Sequence, residues 1–363
     1  MKKKRGNPGI ELCLICYPYY PSRDTGRGHD RYVFELQKNL SVAHAKINLR
    51  LLHQGFSKGI LAAGAKQFKL IADLSSSKTD LYHAISPIGG ATAALLGKSP
   101  LVVTIHDVIP FHLSGYDYAW KYWYARLCIK ICVERSDVIV VPYRVTKEEL
   151  ISRFNVPETK IQVVNYGVDH TTYYPRPADK RSTRQVLYIG EVSRSKGVDA
   201  LIRAFGIVKK RIGDAELVIG GKTSRDQSML ERLARELGLE DIRFLGYIPE
   251  DELPRYYSSA TVMIFPSRYG FGLSTLEAMA CGTPVIVGAV LDAPEFVADA
   301  GVLVNPNDVN ELADRMARVL LAPNLREQLS MKAIERAKAF SWEKMARETE
   351  EIYHGVMKTV ATT

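Results

Sequence analysis

The sequence lacks any apolar run that approaches the roughly 20 residues of a membrane-spanning helix. Its start, MKKKRGNPGIELCLICYPYY, has the outline of a signal peptide, but the apolar run is too short and Glu11 opens it. We interpret this region as a basic tip followed by a strand. Internal repeats and low-complexity segments are also absent. We therefore expect an ordinary globular protein located in the cytoplasm.

Cysteine is scarce. The chain of 363 residues has five, an odd number in a large chain, which argues against a disulfide framework. Cys13 and Cys16 form a C-x-x-C motif, but their odd spacing in a strand-like run places them on opposite faces. Cys128 and Cys132 fall on one face of a predicted helix. We predict that these cysteines pack in the core and serve neither redox nor metal chemistry.

Acidic residues are few in the first half of the chain. The net charge is +9, and residues 1–178 hold 24 Lys and Arg against 14 Asp and Glu, whereas the remainder holds 25 against 26. A basic half favours an acidic surface or a phosphate-bearing partner, and a merely solvated surface is the alternative. The basic residues are dispersed and match no reader motif, so we predict no nucleic-acid partner.

Short apolar segments alternate with segments of helical period along the whole chain. Strand-like runs such as LVVTI, DVIVVP, QVLYIG and TVMIFPS alternate with helical runs such as RYVFELQKNL and GVDALIRAFGIVKKR. Such strands predict parallel sheets covered on both faces. We predict an α/β protein with two doubly wound, Rossmann-like domains at 1–170 and 180–340. The polar stretch YGVDHTTYYPRPADKRSTR is interpreted as a linker, and a further helix is predicted at 342–358.

The most informative loop lies within FPSRYGFGLSTLEAMACGTPVIVG. Ligands of open α/β sheets bind beyond the carboxyl ends of the strands, so we expect this loop to face a cleft between the domains. Gly270 and Gly272 allow close approach of the backbone, and the following helix offers unpaired N–H groups, which suits a phosphate. Glu277 can accept hydrogen bonds from a ribose diol. The alternative is a tight turn with a solvated glutamate.

Three other loops follow predicted strands. In YIGEVSRSKGVDALIRAF, Arg194 and Lys196 follow the strand, and a lysine there can neutralise a diphosphate or simply lie on the surface. In VVTIHDVIPF, His106 can donate to a substrate or relay a proton, or serve a structural role. In RDTGRGHDRYVFEL, Gly28 precedes a helix, but the spacing is not G-x-G-x-x-G, so a dinucleotide fingerprint is not supported.

One predicted helix, within SGYDYAWKYWYARLCIKICVERS, is rich in aromatic residues. Trp120, Tyr124 and Leu127 share a face, and cationic residues are interspersed among them. Aromatic side chains with cations suit a membrane interface. Burial of this stripe in the core is the alternative.

Together these motifs closely resemble family 4 of the retaining, nucleotide-sugar-dependent glycosyltransferases, which have the GT-B fold. The resemblance covers nearly the whole chain and is strongest in GFGLSTLEAMACGTPVI, YIGEVSRSKGVDALIRAF, VVTIHDVIPF and KIQVVNYGVDHTTYYP. It implies two parallel sheets facing across a cleft and a last helix that crosses back to the first domain.

The resemblance also implies roles for individual residues. Glu277 would bind the ribose hydroxyls, Lys196 would hold the diphosphate and stabilise the leaving group, and His106 would contact the donor sugar. Gly28 would bring the backbone close to the diphosphate or the acceptor, and Tyr247 would lie beside the base. The loop residues that would contact the donor sugar and the diphosphate are Gly270, Phe271, Gly272 and Leu273.

No metal and no resident cofactor are implied, which fits the absence of a D-x-D motif between apolar strands. The co-substrate would be a UDP- or GDP-linked sugar, and the diphosphate would be neutralised by Lys196 and by helix dipoles. Such enzymes retain the anomeric configuration through attack on the same face of the sugar, with the leaving phosphate as base.

Two positions depart from the family pattern. Eight residues before Glu277 the family usually has Glu, where this chain has Tyr269. After the strand-ending glycine it usually has Arg, where this chain has Glu191. We hypothesise that Arg194 or Arg268 replaces the missing cation and that Glu191 or Tyr269 takes over contacts with the sugar.

We predict an enzyme that moves a hexose, such as mannose or glucose, to an acceptor hydroxyl on a lipid-linked or phosphate-bearing glycan or on a small molecule. From the basic first half and the aromatic helix we further predict peripheral contact with the anionic inner face of a membrane. The alternatives are a non-catalytic nucleotide-sugar-binding protein with a degenerate site, and a nucleotide-sugar epimerase of the GT-B fold.

Overall fold

A computed structural model describes residues 10–18, 28–43, 47–52, 60–112, 119–176, 184–270 and 272–362. The chain divides into two compact units. Met1–Tyr166 and Trp342–Thr363 form the first unit, and Gly167–Ser341 forms the second. Each unit is built around a parallel sheet of six strands, so the predicted pair of doubly wound α/β domains is confirmed.

The first unit alternates strands with helices, as predicted. Its strands are β1 (Ile10–Ile15), β2 (Ile47–Leu52), β3 (Leu81–Ala84), β4 (Leu101–Thr104), β5 (Val138–Val141) and β6 (Ile161–Val163). Its helices are α1 (Gly28–Ala43), α2 (Ile60–Ser76), α3 (Pro87–Leu95), α4 (Ile109–His112), α5 (Ala119–Arg135) and α6 (Arg144–Phe154), with α14 (Trp342–Thr362) from the end of the chain.

The strand order of the first sheet is β2-β1-β3-β4-β5-β6, so the direction of winding reverses between β1 and β3. Every residue of β3 and β4 is buried, as expected for a parallel sheet with helices on both faces. Because crossovers between parallel strands are right-handed, α1 lies on one face and the helices α2, α3, α5 and α6 lie on the other. Helix α3 packs against both α2 and α5.

The last helix of the chain, α14, packs against α1 in the first unit. His83 of β3 connects this helix to the sheet: its Nδ1 lies 2.6 Å from Tyr353 Oη, and its Nε2 lies 2.8 Å from Thr104 Oγ1. All three side chains are buried. Burial lowers the pKa of His83 to about 3, so the imidazole is neutral near pH 7. Because each side chain of this buried network has a hydrogen-bond partner, the network favours a single packing arrangement of α14 against the sheet.

The second unit follows the same alternation. Its strands are β7 (Gln185–Ile189), β8 (Glu216–Gly220), β9 (Ile242–Gly246), β10 (Val262–Phe265), β11 (Val285–Gly288) and β12 (Val302–Val304). Its helices are α7 (Val198–Arg211), α8 (Gln227–Glu236), α9 (Leu253–Ser259), α10 (Leu273–Ala280), α11 (Ala293–Val297), α12 (Val309–Leu321) and α13 (Pro323–Ala337). The strand order is β12-β11-β10-β7-β8-β9, with a reversal between β7 and β10.

The stretch interpreted as a linker is partly packed into the second unit. Val168 pairs with Ser341 in an isolated parallel bridge. Tyr173 is completely buried, and the centre of its ring lies 6.0 Å from that of Tyr257. Val168 and Tyr173 of this mostly polar stretch are therefore part of the core. The overall polarity of the stretch gave no indication of their burial.

All five cysteines are buried and free of disulfides, which confirms the predicted core positions of Cys13, Cys16, Cys128 and Cys132. Within the described ranges, no helix combines the length and the apolar character that crossing a bilayer requires.

Candidate functional site

The reversal of the second sheet marks a crevice at the carboxyl ends of β7 and β10, which are neighbours in the sheet. The helices that follow these two strands leave for opposite faces, and ligands of open α/β sheets bind at such a point. Two loops border it, at 190–197 and 266–272. Most of the predicted donor-binding residues lie on these loops, while Phe271 lies outside the described residues.

The two loops are in direct backbone contact at Gly197. This residue precedes α7 with φ of 74°. A Cβ atom at this position would lie 1.9 Å from the carbonyl oxygen of Pro266, so only glycine fits. On the second loop, Gly272 lies against the Phe265 ring, where a Cβ would come within 2.6 Å of a ring carbon. Close packing therefore fixes the relative position of the loops.

Arg268 ties the same two loops together through its side chain. Its guanidinium donates to the Asp199 carboxylate at 2.8 and 3.2 Å, to Asn307 Oδ1 at 2.9 Å, and to the carbonyl of Arg194. Because these hydrogen bonds hold Arg268 in place, we describe this residue as a structural clamp between the two loops. The hypothesis that it replaces the missing phosphate cation requires the Asp199 pair to open.

Lys196 reaches from the first loop to the second. Its Nζ donates to the carbonyl oxygen of Tyr269 at 3.2 Å, and the same oxygen accepts a hydrogen bond from Ser267 Oγ at 2.5 Å. The structure thus brings the predicted diphosphate lysine and the unusual Tyr269 together. A flexible ammonium beside glycine-rich backbone and a helix N-terminus is a chemically suitable anion site.

Glu277 is buried inside α10, with 6% of its surface exposed, so the solvated-glutamate alternative is wrong. Tyr257 Oη donates to Glu277 Oε2 at 2.7 Å. Burial, followed by the charge of Glu277, raises the pKa of Tyr257 well above its usual value, which keeps the phenol a donor. Sequence reasoning missed Tyr257, because the pattern YYSSA does not distinguish it from Tyr256.

Three further predicted residues of this unit, Arg194, Glu191 and Tyr247, lie at its surface. Arg194 is exposed, and its backbone N–H donates to Asp226 Oδ2 at 2.9 Å. Glu191 is exposed, and its carbonyl accepts from Tyr188 Oη at 2.7 Å. Tyr247, directly after β9, is 50% exposed. Solvent screens an exposed carboxylate, so the negative charge of Glu191 is a smaller obstacle to a bound phosphate than a buried charge would be.

His106 of the first unit follows β4, the neighbour of β3 in the sheet, and only 5% of its surface is exposed. Its Nε2 lies 2.9 Å from the carbonyl oxygen of Ile85, so Nε2 carries the proton. Nδ1 then accepts from Tyr166 Oη at 2.7 Å. Burial, followed by the charge of His29, lowers the pKa of His106 well below its usual value. A substrate contact by this neutral ring requires one of these hydrogen bonds to be exchanged.

Gly28 and His29 form the start of α1 in the first unit. The His29 ring stacks on His106 with 4.4 Å between ring centres. The segment before Gly28, at 19–27, lies outside the described residues. The start of α1, which includes Gly28, therefore lies beside His106.

Helix α5 presents its aromatic stripe to solvent. Trp120 is 61% exposed, Trp123 is 64% exposed, and Tyr124 and Leu127 are also exposed. The opposite side of the helix, including Cys128 and Cys132, is buried. The alternative that this stripe belongs to the core is therefore wrong. Among the described residues, no group of three or more His, Cys, Asp or Glu side chains is placed to hold a metal ion.

Comparisons of the sequence with known proteins agree with this geometry. The family model described as Glycosyltransferase Family 4 matches residues 24–172, and the model described as Glycosyl transferases group 1 matches residues 174–336. O-antigen chain mannosyltransferase B of Escherichia coli is 30% identical over 372 residues, which cover 90% of this chain and 95% of that protein. D-inositol 3-phosphate glycosyltransferase of Corynebacterium aurimucosum is 33% identical over 252 residues, 64% of this chain and 60% of the relative.

Comparisons with solved structures show the fold. Sucrose-phosphate synthase from Thermosynechococcus elongatus superposes with a TM-score of 0.82 at 24% identity, covering 96% of this chain and 100% of that one. HepE of Anabaena, solved in complex with UDP and glucose, gives a TM-score of 0.76 at 18% identity, covering 95% and 100%. These structures show the GT-B fold, and the family models with the relative from Escherichia coli establish that the chain belongs to family 4 of the glycosyltransferases.

Proposed function

We propose that this glycosyltransferase moves a hexose from a UDP- or GDP-sugar to an acceptor hydroxyl with retention of configuration and without a metal ion. One observation carries the proposal: at the reversal of the second sheet Lys196 joins two glycine-containing loops, and the second of them leads into the helix that holds the buried Glu277. The relative from Escherichia coli, named a mannosyltransferase, supports the transfer of a hexose.

The donor diphosphate lies against the amides at the start of α10, and Lys196 leaves Tyr269 to bind it. Glu277 accepts hydrogen bonds from the ribose. As the bond between the sugar carbon and the phosphate oxygen breaks, the negative charge that grows on the diphosphate is stabilised by Lys196 and the helix amides. The acceptor oxygen bonds to the same face of the sugar carbon, and its proton passes to the departing phosphate oxygen. The products are the glycoside and a nucleoside diphosphate.

The role of Lys196 is tested with Lys196→Met, which keeps much of the aliphatic stem but removes the charge. We expect kcat to fall by roughly 100-fold or more, with a change in donor Kd of less than about tenfold, because the leaving-group charge develops in the transition state. Radiolabelled UDP- and GDP-sugars with a panel of acceptors give kcat, and calorimetry gives Kd. Lys222→Met, on an exposed lysine of the same unit, is the control.

An unchanged kcat in Lys196→Met contradicts this role. Tight donor binding by the unaltered protein without transfer or hydrolysis would instead indicate a non-catalytic nucleotide-sugar-binding protein. Interconversion of the sugar without an acceptor would indicate an epimerase.

We further propose a phosphate-bearing acceptor and peripheral contact of the first unit with an anionic membrane. The relative named D-inositol 3-phosphate glycosyltransferase supports such an acceptor. The contact surface is the exposed stripe of α5, where Trp120 and Trp123 are flanked by exposed Lys121 and Lys130. Indole rings suit the headgroup layer, and each lysine near an anionic surface contributes about 1 kcal/mol.

Sedimentation with vesicles of anionic and of neutral phospholipids tests this contact. The unaltered protein should sediment with anionic vesicles at low salt, and the double variant Trp120→Ser/Trp123→Ser should lose most of this binding. Leu321→Ser, which alters an exposed apolar residue of the second unit, is the control. Equal sedimentation of the unaltered protein and the double variant refutes the role of α5.

A further inference from the structure

The buried carboxylate of Glu277 needs hydrogen-bond donors, because a buried charge is costly unless it is paired. The phenol of Tyr257 supplies one of them, at 2.7 Å from Oε2. Tyr257 belongs to α9, and Glu277 belongs to the helix that follows the glycine loop. A side chain from a neighbouring helix therefore constrains the orientation of this carboxylate.

Tyr257 is itself held in place from several sides. Its side chain is completely buried, and the Tyr173 ring lies 6.0 Å away between centres. Its carbonyl accepts a hydrogen bond from Thr283 Oγ1 at 2.6 Å, and Thr283 is also completely buried. Glu277 and Thr283, which lie within and just after α10, are both bonded to this one tyrosine. Packing therefore leaves the phenol little rotational freedom.

A carboxylate has two oxygen atoms, each of which can accept more than one hydrogen bond. The phenol restricts rotation of the Glu277 carboxylate about its last side-chain bond. Such a restriction leaves the remaining acceptor positions pointing in a fixed direction. A diol needs two acceptor positions at a fixed separation and orientation, so a fixed carboxylate recognises it better than a rotating one.

We propose that Tyr257 is a positioning residue for the donor, because its hydroxyl holds the Glu277 carboxylate in the orientation that accepts hydrogen bonds from the ribose diol. This inference rests on the proposed function, in which Glu277 binds the ribose of a nucleotide sugar. Tyr257 itself does not touch the donor.

The test uses two pairs of ligands, and the members of each pair differ only in the diol: UDP with 2′,3′-dideoxy-UDP, and GDP with 2′,3′-dideoxy-GDP. Calorimetry gives Kd for the unaltered protein, Tyr257→Phe and Tyr256→Phe. A hydrogen bond to a charged group changes affinity by about tenfold or more, so the unaltered protein should prefer the diol by roughly 100-fold. In Tyr257→Phe this preference should fall to about tenfold or less, with little change in the Kd of the dideoxy ligand.

Tyr256→Phe removes the same atom from the adjacent, half-buried tyrosine and should keep the full preference. Unfolded molecules lower the binding stoichiometry but not the ratio of the two Kd values, so partial misfolding of Tyr257→Phe does not obscure the result. Glu277→Gln should also lose the diol preference, and adding Tyr257→Phe to it should change the ratio little further.

Three results overturn the inference. A full diol preference in Tyr257→Phe shows that the phenol does not orient the carboxylate. An equal loss of affinity for both ligands of a pair assigns Tyr257 to general packing. If the unaltered protein binds neither nucleotide, the proposed donor class fails as well, and this outcome is distinguished from the other two by the unaltered protein alone.

Discussion

Replacing Gly197 with alanine changes a close backbone contact between the two loops of the second unit. The residue has φ of 74°, and the new Cβ would lie 1.9 Å from the carbonyl oxygen of Pro266. Real Cβ atoms almost never approach another heavy atom within 3.0 Å. The carbonyl or the glycine must therefore move by about 1 Å or more, and neither is the flexible end of a side chain.

The structure supplies a matched control for the backbone conformation. Gly238 has φ of 67°, but a Cβ there would meet no atom within 4 Å. Alanine in this left-handed conformation costs about 1–2 kcal/mol, partly offset by about 0.4–1 kcal/mol from the reduced entropy of the unfolded chain. We expect Gly238→Ala to lower the free energy of unfolding by about 1 kcal/mol. Overpacking adds about 1–3 kcal/mol, so Gly197→Ala should lower it by about 2–4 kcal/mol.

Urea unfolding is monitored by hydrogen exchange of peptides from β7 and β10. This readout measures the loss of stability in the second unit alone, which matters because the chain has two units. The same variants are titrated with UDP and GDP. Displacement of the loop that carries Lys196 should weaken nucleotide binding by at least about tenfold in Gly197→Ala and leave it unchanged in Gly238→Ala. Equal destabilisation by the two substitutions refutes the contact with Pro266.

Two other predictions concern ionisable groups. His83 is buried and neutral with a pKa of about 3, below the ordinary 6.5, so the unfolded state binds its proton first as the pH falls. As the pH falls from 6.5 to 3, this residue should therefore lower the free energy of unfolding by about 1.4 kcal/mol per pH unit. In urea unfolding, His83→Gln should reduce the dependence of this free energy on pH by the equivalent of one proton. An unchanged pH dependence contradicts the burial of His83. For Arg268 and Asp199, a double-mutant cycle with Arg268→Met and Asp199→Asn should give a coupling of about 1 kcal/mol in urea unfolding, and zero coupling rules out the clamp.

The fold was predictable because its signals are local. Runs such as the one that forms β10 are apolar at every position, and the helical period between them is regular, so parallel sheets with helices on both faces follow from the sequence. The loops after β7 and β10 were also predictable, since glycines and a lysine follow the strand ends. These signals do not reveal which side chains from distant parts of the chain become neighbours.

The partners of the candidate residues were accordingly missed. Tyr166 lies 60 residues from His106 in the sequence, and Tyr257 lies 20 residues before Glu277 on a different helix. Arg268 was interpreted as a spare cation because its pairing with Asp199 depends on two loops meeting. No single-sequence pattern encodes these pairings, since each depends on the register of the finished sheet.

The surface of α5 illustrates a different limit. A stripe of apolar residues at helical spacing is found both in cores and on docking surfaces, and periodicity alone does not separate them. In this helix apolar residues also occupy the buried side, where Cys128 and Ile129 lie. Only the packed structure shows that the tryptophans face away from the sheet.

The position of α14 has a consequence for biosynthesis. Residues up to Tyr166 of the first unit are made before the second unit, whereas α14, which packs against α1 and hydrogen-bonds to His83 through Tyr353, is made after it. Chains are made at about 5–20 residues per second, and domains usually fold in order from the N-terminus. Here the second unit is the first whose sequence is complete. A nascent chain that stops short of residue 342 keeps the α1 face of its first unit uncovered, so premature termination should lead to aggregation through the N-terminal half.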